Sequence, residues 1–70
     1  MLSARNQWKG TILSIKTGSV MCEVIVDIGG GNQVVSLISA SSSKRLKLKK
    51  GRQILVVIKS TEVMISTDDE

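Results

Sequence analysis

Ser19-Val20-Met21-Cys22-Glu23-Val24-Ile25-Val26-Asp27-Ile28-Gly29-Gly30-Gly31-Asn32 is the stretch whose reading decides the fold. In an extended chain Val20, Cys22, Val24, Val26 and Ile28 share one side, and Met21, Glu23, Ile25 and Asp27 the other, the period-2 pattern of a strand. Three glycines and an asparagine follow, residues that accept the positive φ of a tight reversal. Gln33–Ile38 then runs apolar again and reads as the returning strand. Upstream, Gly10–Lys16 reads as a strand in which Ile12 and Ser14 alternate with Thr11, Leu13 and Ile15, closed by the turn signal Thr17-Gly18. Three strands in a meander are therefore predicted by Ile38.

Downstream the pattern breaks. Ser39–Leu48 opens with serines able to cap a helix and continues through Lys44, Arg45, Leu46, Lys47 and Leu48, which predicts one or two helical turns ended by Lys50-Gly51. Gln53–Lys59 carries a continuous aliphatic run and reads as a fourth strand. After Ser60-Thr61-Glu62, Val63–Ser66 reads as a short fifth, and Thr67–Glu70 as a frayed acidic tail. Strand, strand, strand, short helix, strand, strand is the order of an all-β, five-stranded Greek-key barrel of the OB-fold type. One domain, residues 1–70, takes up the whole chain.

A domain of 70 residues buries only about 60% of its unfolded-chain surface and needs a supplement. A single cysteine, Cys22, forms no internal disulfide, and with no histidine there is no cluster of zinc-finger or iron–sulfur spacing. Cys22 reads as a small core residue. Self-association is the supplement left, and the 41% apolar content, with Trp8 the one aromatic, suits a shared aliphatic core. No run of about 18 apolar residues spans a bilayer, and Met1–Lys9 lacks the apolar segment of a signal peptide, so no membrane association is expected and the expected compartment is the cytoplasm. The net charge of +4 favours anionic partners.

Catalysis is not expected: histidine is absent, and Glu23, Asp27 and Glu62 are scattered. Gly29-Gly30-Gly31 reads as a hairpin turn, because no helix pattern or Lys-Ser/Thr pair follows it as in a phosphate-cradling loop. The run Lys44, Arg45, Lys47, Lys49, Lys50, Arg52 reads as a solvated face or as a nucleic-acid patch. Single-strand binding by OB barrels leans on aromatic stacking, which a chain with only Trp8 cannot supply, so nucleic acid is not the favoured partner. More telling are three polar segments at strand ends: Leu2-Ser3-Ala4-Arg5-Asn6-Gln7, Ser39 with Ser42, and Lys59-Ser60-Thr61. Strand ends and helix starts are where side chains and unpaired backbone N–H groups converge on anions.

Ser3-Ala4-Arg5-Asn6-Gln7, Gly10, Gly18, Val20, Asp27-Ile28-Gly29-Gly30-Gly31 and Ile58-Lys59-Ser60-Thr61-Glu62-Val63 together resemble the molbindin (Mop) family over nearly the whole chain. The resemblance implies binding and intracellular storage of molybdate or tungstate at subunit interfaces, with the oxyanion as ligand, no organic cofactor and no catalysis. It implies a homohexamer, a trimer of dimers. Carried onto this chain, it points to Ser3, Ala4, Arg5, Lys59 and Ser60 as lining the main sites, with Ser39 and Ser42 where the family often has a Thr-x-x-Ser pair. No side chain is implied to coordinate the metal directly. A second class of sites relies on backbone amides, for which Gly18-Ser19-Val20 is the candidate. Ser39 departs from the commoner threonine but keeps a hydroxyl, and Leu46-Lys47-Leu48 lacks the glycine that relatives often have at its centre. Delivery of molybdate or a molybdenum cofactor to an enzyme is an alternative role, and a nucleic-acid-binding OB protein another.

The chemistry fits a tetrahedral dianion. An unpaired buried charge costs up to tens of kcal/mol, so a dehydrated dianion must meet several donors at once. Arg5 offers a fixed fork of N–H donors and Lys59 a compact charge, while hydroxyls and amides meet the remaining lone pairs.

Overall fold

The computed structural model describes residues 3–67. Four strands and one short helix follow in the order β1 (Asn6–Thr17), β2 (Met21–Gly29), β3 (Asn32–Ser39), α1 (Ala40–Arg45) and β4 (Gln53–Ile58), with a 3₁₀ turn at Ser60–Glu62. The sheet is antiparallel throughout, in the order β3-β2-β1-β4.

β2 and its turn form as the alternation requires. Cys22, Val24 and Val26 are buried with Ile12 and Val56, and Ile28, Val34, Ile38, Leu48, Ile54 and Ile58 pack around them. Val20, placed on the same face by its spacing, precedes the strand and is exposed. Gly30 and Gly31 form a two-residue loop between the paired Gly29 and Asn32, both at positive φ (64° and 78°), the combination a tight hairpin needs and an L-side chain resists. The Asp27 carboxylate accepts the Gly29 N–H at 2.9 Å and holds the approach to the loop.

β1 is longer than its predicted Gly10–Lys16. Its first half, Asn6–Thr11, pairs with β4, and its second, from Thr11 onward, with β2. Thr11 faces both Asp27 and Gln53. Gln7, Trp8 and Lys9 are exposed, so this half carries no alternation of burial and reads as polar chain in the sequence. Gly10 sits where β1 crosses closely over β2: a Cβ there would meet Val26 Cγ1 at 2.5 Å and the Asp27 carbonyl at 2.9 Å. The register then jumps between Ile12 and Ser14, a bulge that takes up Leu13 and lets both Ile12 and Ile15 reach the core despite their odd spacing.

α1 starts at Ser39, whose hydroxyl accepts the Ser42 N–H at 3.1 Å. It ends in a turn where Lys47 takes φ +56°, the one described residue other than glycine at positive φ. The turn typical of a glycine is thus kept without one. Backbone bonds pin it, Leu48 N–H to the Ser43 carbonyl at 3.1 Å and Lys47 N–H to Lys44 at 3.0 Å, and Arg52 donates to the carbonyls of Leu46 and Lys47.

The fifth strand does not form. Val63–Ser66 is exposed and pairs with nothing among the described residues, with Met64 91% and Ile65 86% exposed. The apolar pattern is there, but a strand needs a neighbour's N–H and C=O groups. The sheet therefore stays open instead of closing into the expected five-stranded barrel, and an apolar groove of about 510 Å³ runs between β2–β3 and β4, floored by Val24, Val26, Ile38, Leu48, Ile54 and Val56. Asp68, Asp69 and Glu70, most of the expected frayed tail, lie outside the described residues.

Candidate functional site

The register of β1 on β4 builds the first group of polar residues. Asn6 faces Ile58, so the chain just before β1 and the chain just after β4 leave the sheet side by side, carrying Ser3-Ala4-Arg5 and Lys59-Ser60 to one end of it. Ser3, Arg5, Lys59 and Ser60 are exposed, Ala4 half-buried. The Gln7 side-chain amide donates to the Ala4 carbonyl and ties the entering segment to the strand. Lys59 adopts an extended conformation (φ −63°, ψ 140°) ahead of the 3₁₀ turn, and its carbonyl accepts the Glu62 N–H at 2.9 Å. Its side chain does not cap that turn. The first N–H groups of such a turn have no partner within it, so Ser60 and Thr61 offer backbone donors next to Lys59 in the chain. Thr61 was noticed in the sequence only as part of the Lys59-Ser60-Thr61 break, because an amide donor leaves no side-chain signal.

A second group forms at the other end of β1. Ser39 donates to the Ser42 hydroxyl at 2.8 Å and lies 3.3 Å from that of Ser41, a compact hydroxyl cluster that leaves the Ser42 proton to be given elsewhere. Gly18-Ser19-Val20 lies beside it, because the Ala40 N–H bonds the Val20 carbonyl at 2.7 Å. The Gly18 N–H is paired with the Met21 carbonyl at 2.8 Å, so Gly18 shapes this turn.

The residues read from the sequence thus fall into two clusters, and one chain does not unite them. Arg5 precedes β1 and Gly18 follows it, across 12 residues that run about 40 Å if straight. Ser39 and Ser42 keep company with Gly18–Val20, not with Arg5 and Lys59.

Neither cavity suits a dianion better. The large groove is apolar, and a charge there would lack donors. A shallower depression of about 350 Å³ offers Lys9, Thr11 and Gln53, but the Asp27 carboxylate lines it and would repel an anion. Among the described residues no three His, Cys, Asp or Glu side chains gather as a metal site would need. Among the same described residues no helix is long and apolar enough to cross a membrane.

Residues 2–65 match the TOBE domain family. Molybdenum-pterin-binding protein 1 of Clostridium pasteurianum is 47% identical over 64 residues, covering 91% of this chain and 94% of that protein. Among solved structures, MopII of the same organism superposes with a TM-score of 0.91 at 45% identity, over 96% of this chain and 100% of that one. A molybdate-binding protein from Sporomusa ovata gives 0.89 at 28% identity, over 96% and 98%.

Proposed function

The chain belongs to the TOBE-domain family and, within it, to the molbindins, and from that premise we propose that it holds molybdate or tungstate at subunit interfaces of a homo-oligomer, as an intracellular store and not as an enzyme. The observation that supports this reading is the Asn6–Ile58 register, which brings the segments bearing Ser3-Ala4-Arg5 and Lys59-Ser60 to the same end of the sheet. Two cations balance a dianion, and each hydrogen bond to the charged ligand contributes roughly 1.5 to 3 kcal/mol net. The exposed position of these groups supports an interface: a site that dehydrates its ligand needs a cover, and one copy does not provide it.

The separation of the two clusters supports the same conclusion. A site that uses Ser39 and Ser42 together with Arg5 and Lys59 draws them from different copies, and Ser19-Val20 at the second cluster suits a site on a symmetry axis. The open apolar groove and the unpaired Val63–Ile65 segment support self-association independently. The hexamer, a trimer of dimers, is the assembly we assign. Selectivity over sulfate follows from donors on facing subunits that the larger oxyanion spans and the smaller does not. The Clostridium relative's name attaches a pterin to the molybdenum, and the only aromatic surface this chain offers such a ring is Trp8, 39% exposed; the free oxyanion is therefore the ligand proposed.

Equilibrium dialysis of the purified protein against molybdate in excess sulfate, with bound metal counted per chain, tests this. Saturable retention is expected, and Arg5→Ala is expected to lose it while the oligomer persists. Retention unchanged in that variant removes Arg5 from the site, and no retention by the unmodified chain ends the storage reading.

A further inference from the structure

The basic run at residues 44–52 stays together in the fold and takes no part in the site described above. Lys44, Arg45, Lys47, Lys49, Lys50 and Arg52 are all exposed, from the last turn of α1 to the start of β4. No Asp or Glu occurs between Asp27 and Glu62 to balance them. The Arg52 side chain donates to the carbonyls of Leu46 and Lys47, so it braces the turn and leaves five cations on a pinned backbone. Lys47 keeps its side chain at φ 56°, where glycine is the unstrained choice. A positive charge is thus retained there at a cost to the backbone.

The position of this turn relative to the second polar cluster gives it a use. Ser42 and Lys44 belong to one six-residue helix, in which two residues advance about 3 Å along the axis. The chain then folds back on that helix, with the Leu46 N–H on the Ser42 carbonyl at 2.9 Å and the Leu48 N–H on the Ser43 carbonyl at 3.1 Å. The start of the basic run therefore lies within one Debye length of the Ser39 and Ser42 hydroxyls, about 10 Å at 0.1 M salt. At 0.01 M that length is about 30 Å, and the longest dimension of the subunit is 39 Å. On β2, Glu23 stands opposite Lys16, so its carboxylate is offset locally. The turn carries no aromatic ring to stack a base, so a nucleic-acid strand is not the partner it fits best. Exposed ammoniums on flexible stems do not hold a small ion in one place; they act on it through their field.

We propose that the Lys44–Arg52 turn is an electrostatic collector, which speeds the arrival of a tetrahedral dianion at the hydroxyl cluster without touching the ion once bound. This rests on the oxyanion reading above and adds how the ion gets there. Surfaces of one sign raise the arrival rate of an oppositely charged ligand about 10- to 1,000-fold, less as salt rises. Exposed charges at the margin of a site change association more than dissociation. The turn draws any dianion, so the choice among them stays with the donors of the site.

Capture of radiolabelled molybdate by the full chain, followed by rapid filtration at about 10 mM and about 1 M NaCl, tests it, because the Debye length falls to about 3 Å in the stronger salt. Release is timed by dilution into unlabelled molybdate. Lys44→Gln/Lys49→Gln/Lys50→Gln is expected to bind about tenfold more slowly than the unmodified chain at low salt, to match it at high salt, and to release the ion at the same rate. Lys44→Arg/Lys49→Arg/Lys50→Arg keeps the charge and is expected to keep the rate. Equal rates for the glutamine variant and the unmodified chain at low salt overturn the collector and leave the store standing. A glutamine variant that holds less ion, releases it faster or stays slow at high salt places the turn in the site or the fold, and overturns action at a distance. A slow arginine variant overturns charge as the cause. An unmodified chain that retains no molybdate overturns the oxyanion reading and the collector with it.

Discussion

Lys47→Gly should stabilise the protein, and the size of the effect follows from one backbone angle. Lys47 sits at φ +56°, where a Cβ crowds its own chain at a cost of about 1 to 2 kcal/mol. Glycine removes that cost but gives the unfolded chain extra freedom, which returns about 0.4 to 1 kcal/mol. The net gain is about 0.5 to 1 kcal/mol. The hydrogen bonds of the turn survive the change, because Lys47 takes part through its own N–H and C=O only. In a domain of this size that raises Tm by about 2 to 8 °C. Removing a positive charge from a basic cluster also stabilises, so Lys47→Ala is the necessary partner: it removes the ammonium and keeps the Cβ. The measurement is thermal unfolding by circular dichroism of the three proteins at one protomer concentration, since association shifts Tm by mass action. A glycine variant no more stable than the alanine variant would refute the argument, whatever either does relative to lysine.

Other substitutions probe other joints. Gly10→Ala places a methyl against Val26 and the Asp27 carbonyl, and urea unfolding should show a loss of about 1 to 3 kcal/mol; an unchanged midpoint means that β1 does not cross β2 so closely. Ser39→Ala removes the α1 cap and the partner of Ser42, so a loss of about 0.5 to 2 kcal/mol is expected, while Ser39→Thr should retain most of the stability. Saturating molybdate should raise the Tm of the unmodified protein, because the unfolded chain has no such site, and should leave that of Arg5→Ala in place; equal shifts in both would separate stabilisation from the Arg5 site.

Legibility in the sequence followed how each feature is encoded. β2 and the glycine turn were plain, because burial on one face and positive φ leave direct marks in residue type. The start of β1 was not: Gln7, Trp8 and Lys9 are held in the sheet by backbone bonds to β4, and backbone bonds have no residue signature. The bulge at Leu13 hid as well, since one inserted residue shifts the phase of an otherwise regular alternation. Val63–Ser66 reads as a strand from composition that is correct for one, yet a strand is a relation between two segments, and this one pairs with neither edge of the sheet. For the proposed site, the sequence offers candidate residue types, but not their grouping. The segments bearing Arg5 and Lys59 come to one end of the sheet only through the β1–β4 register, and Ser39 is set apart from them by the length of β1.

The change of partner along β1 also sets an order in time. Its second half joins β2 across a tight local turn, whereas its first half must find β4 from across most of the chain. Closing the longer loop costs more entropy before any contact repays it. The meander therefore has the means to form early and β4 docks late, so the end of the sheet carrying Arg5 and Lys59 is the last to be assembled and the first to open. Amide exchange should report this as lower protection in β4 and Asn6–Lys9 than in β2, with a bound anion slowing exchange most where the chain is otherwise quickest to let go.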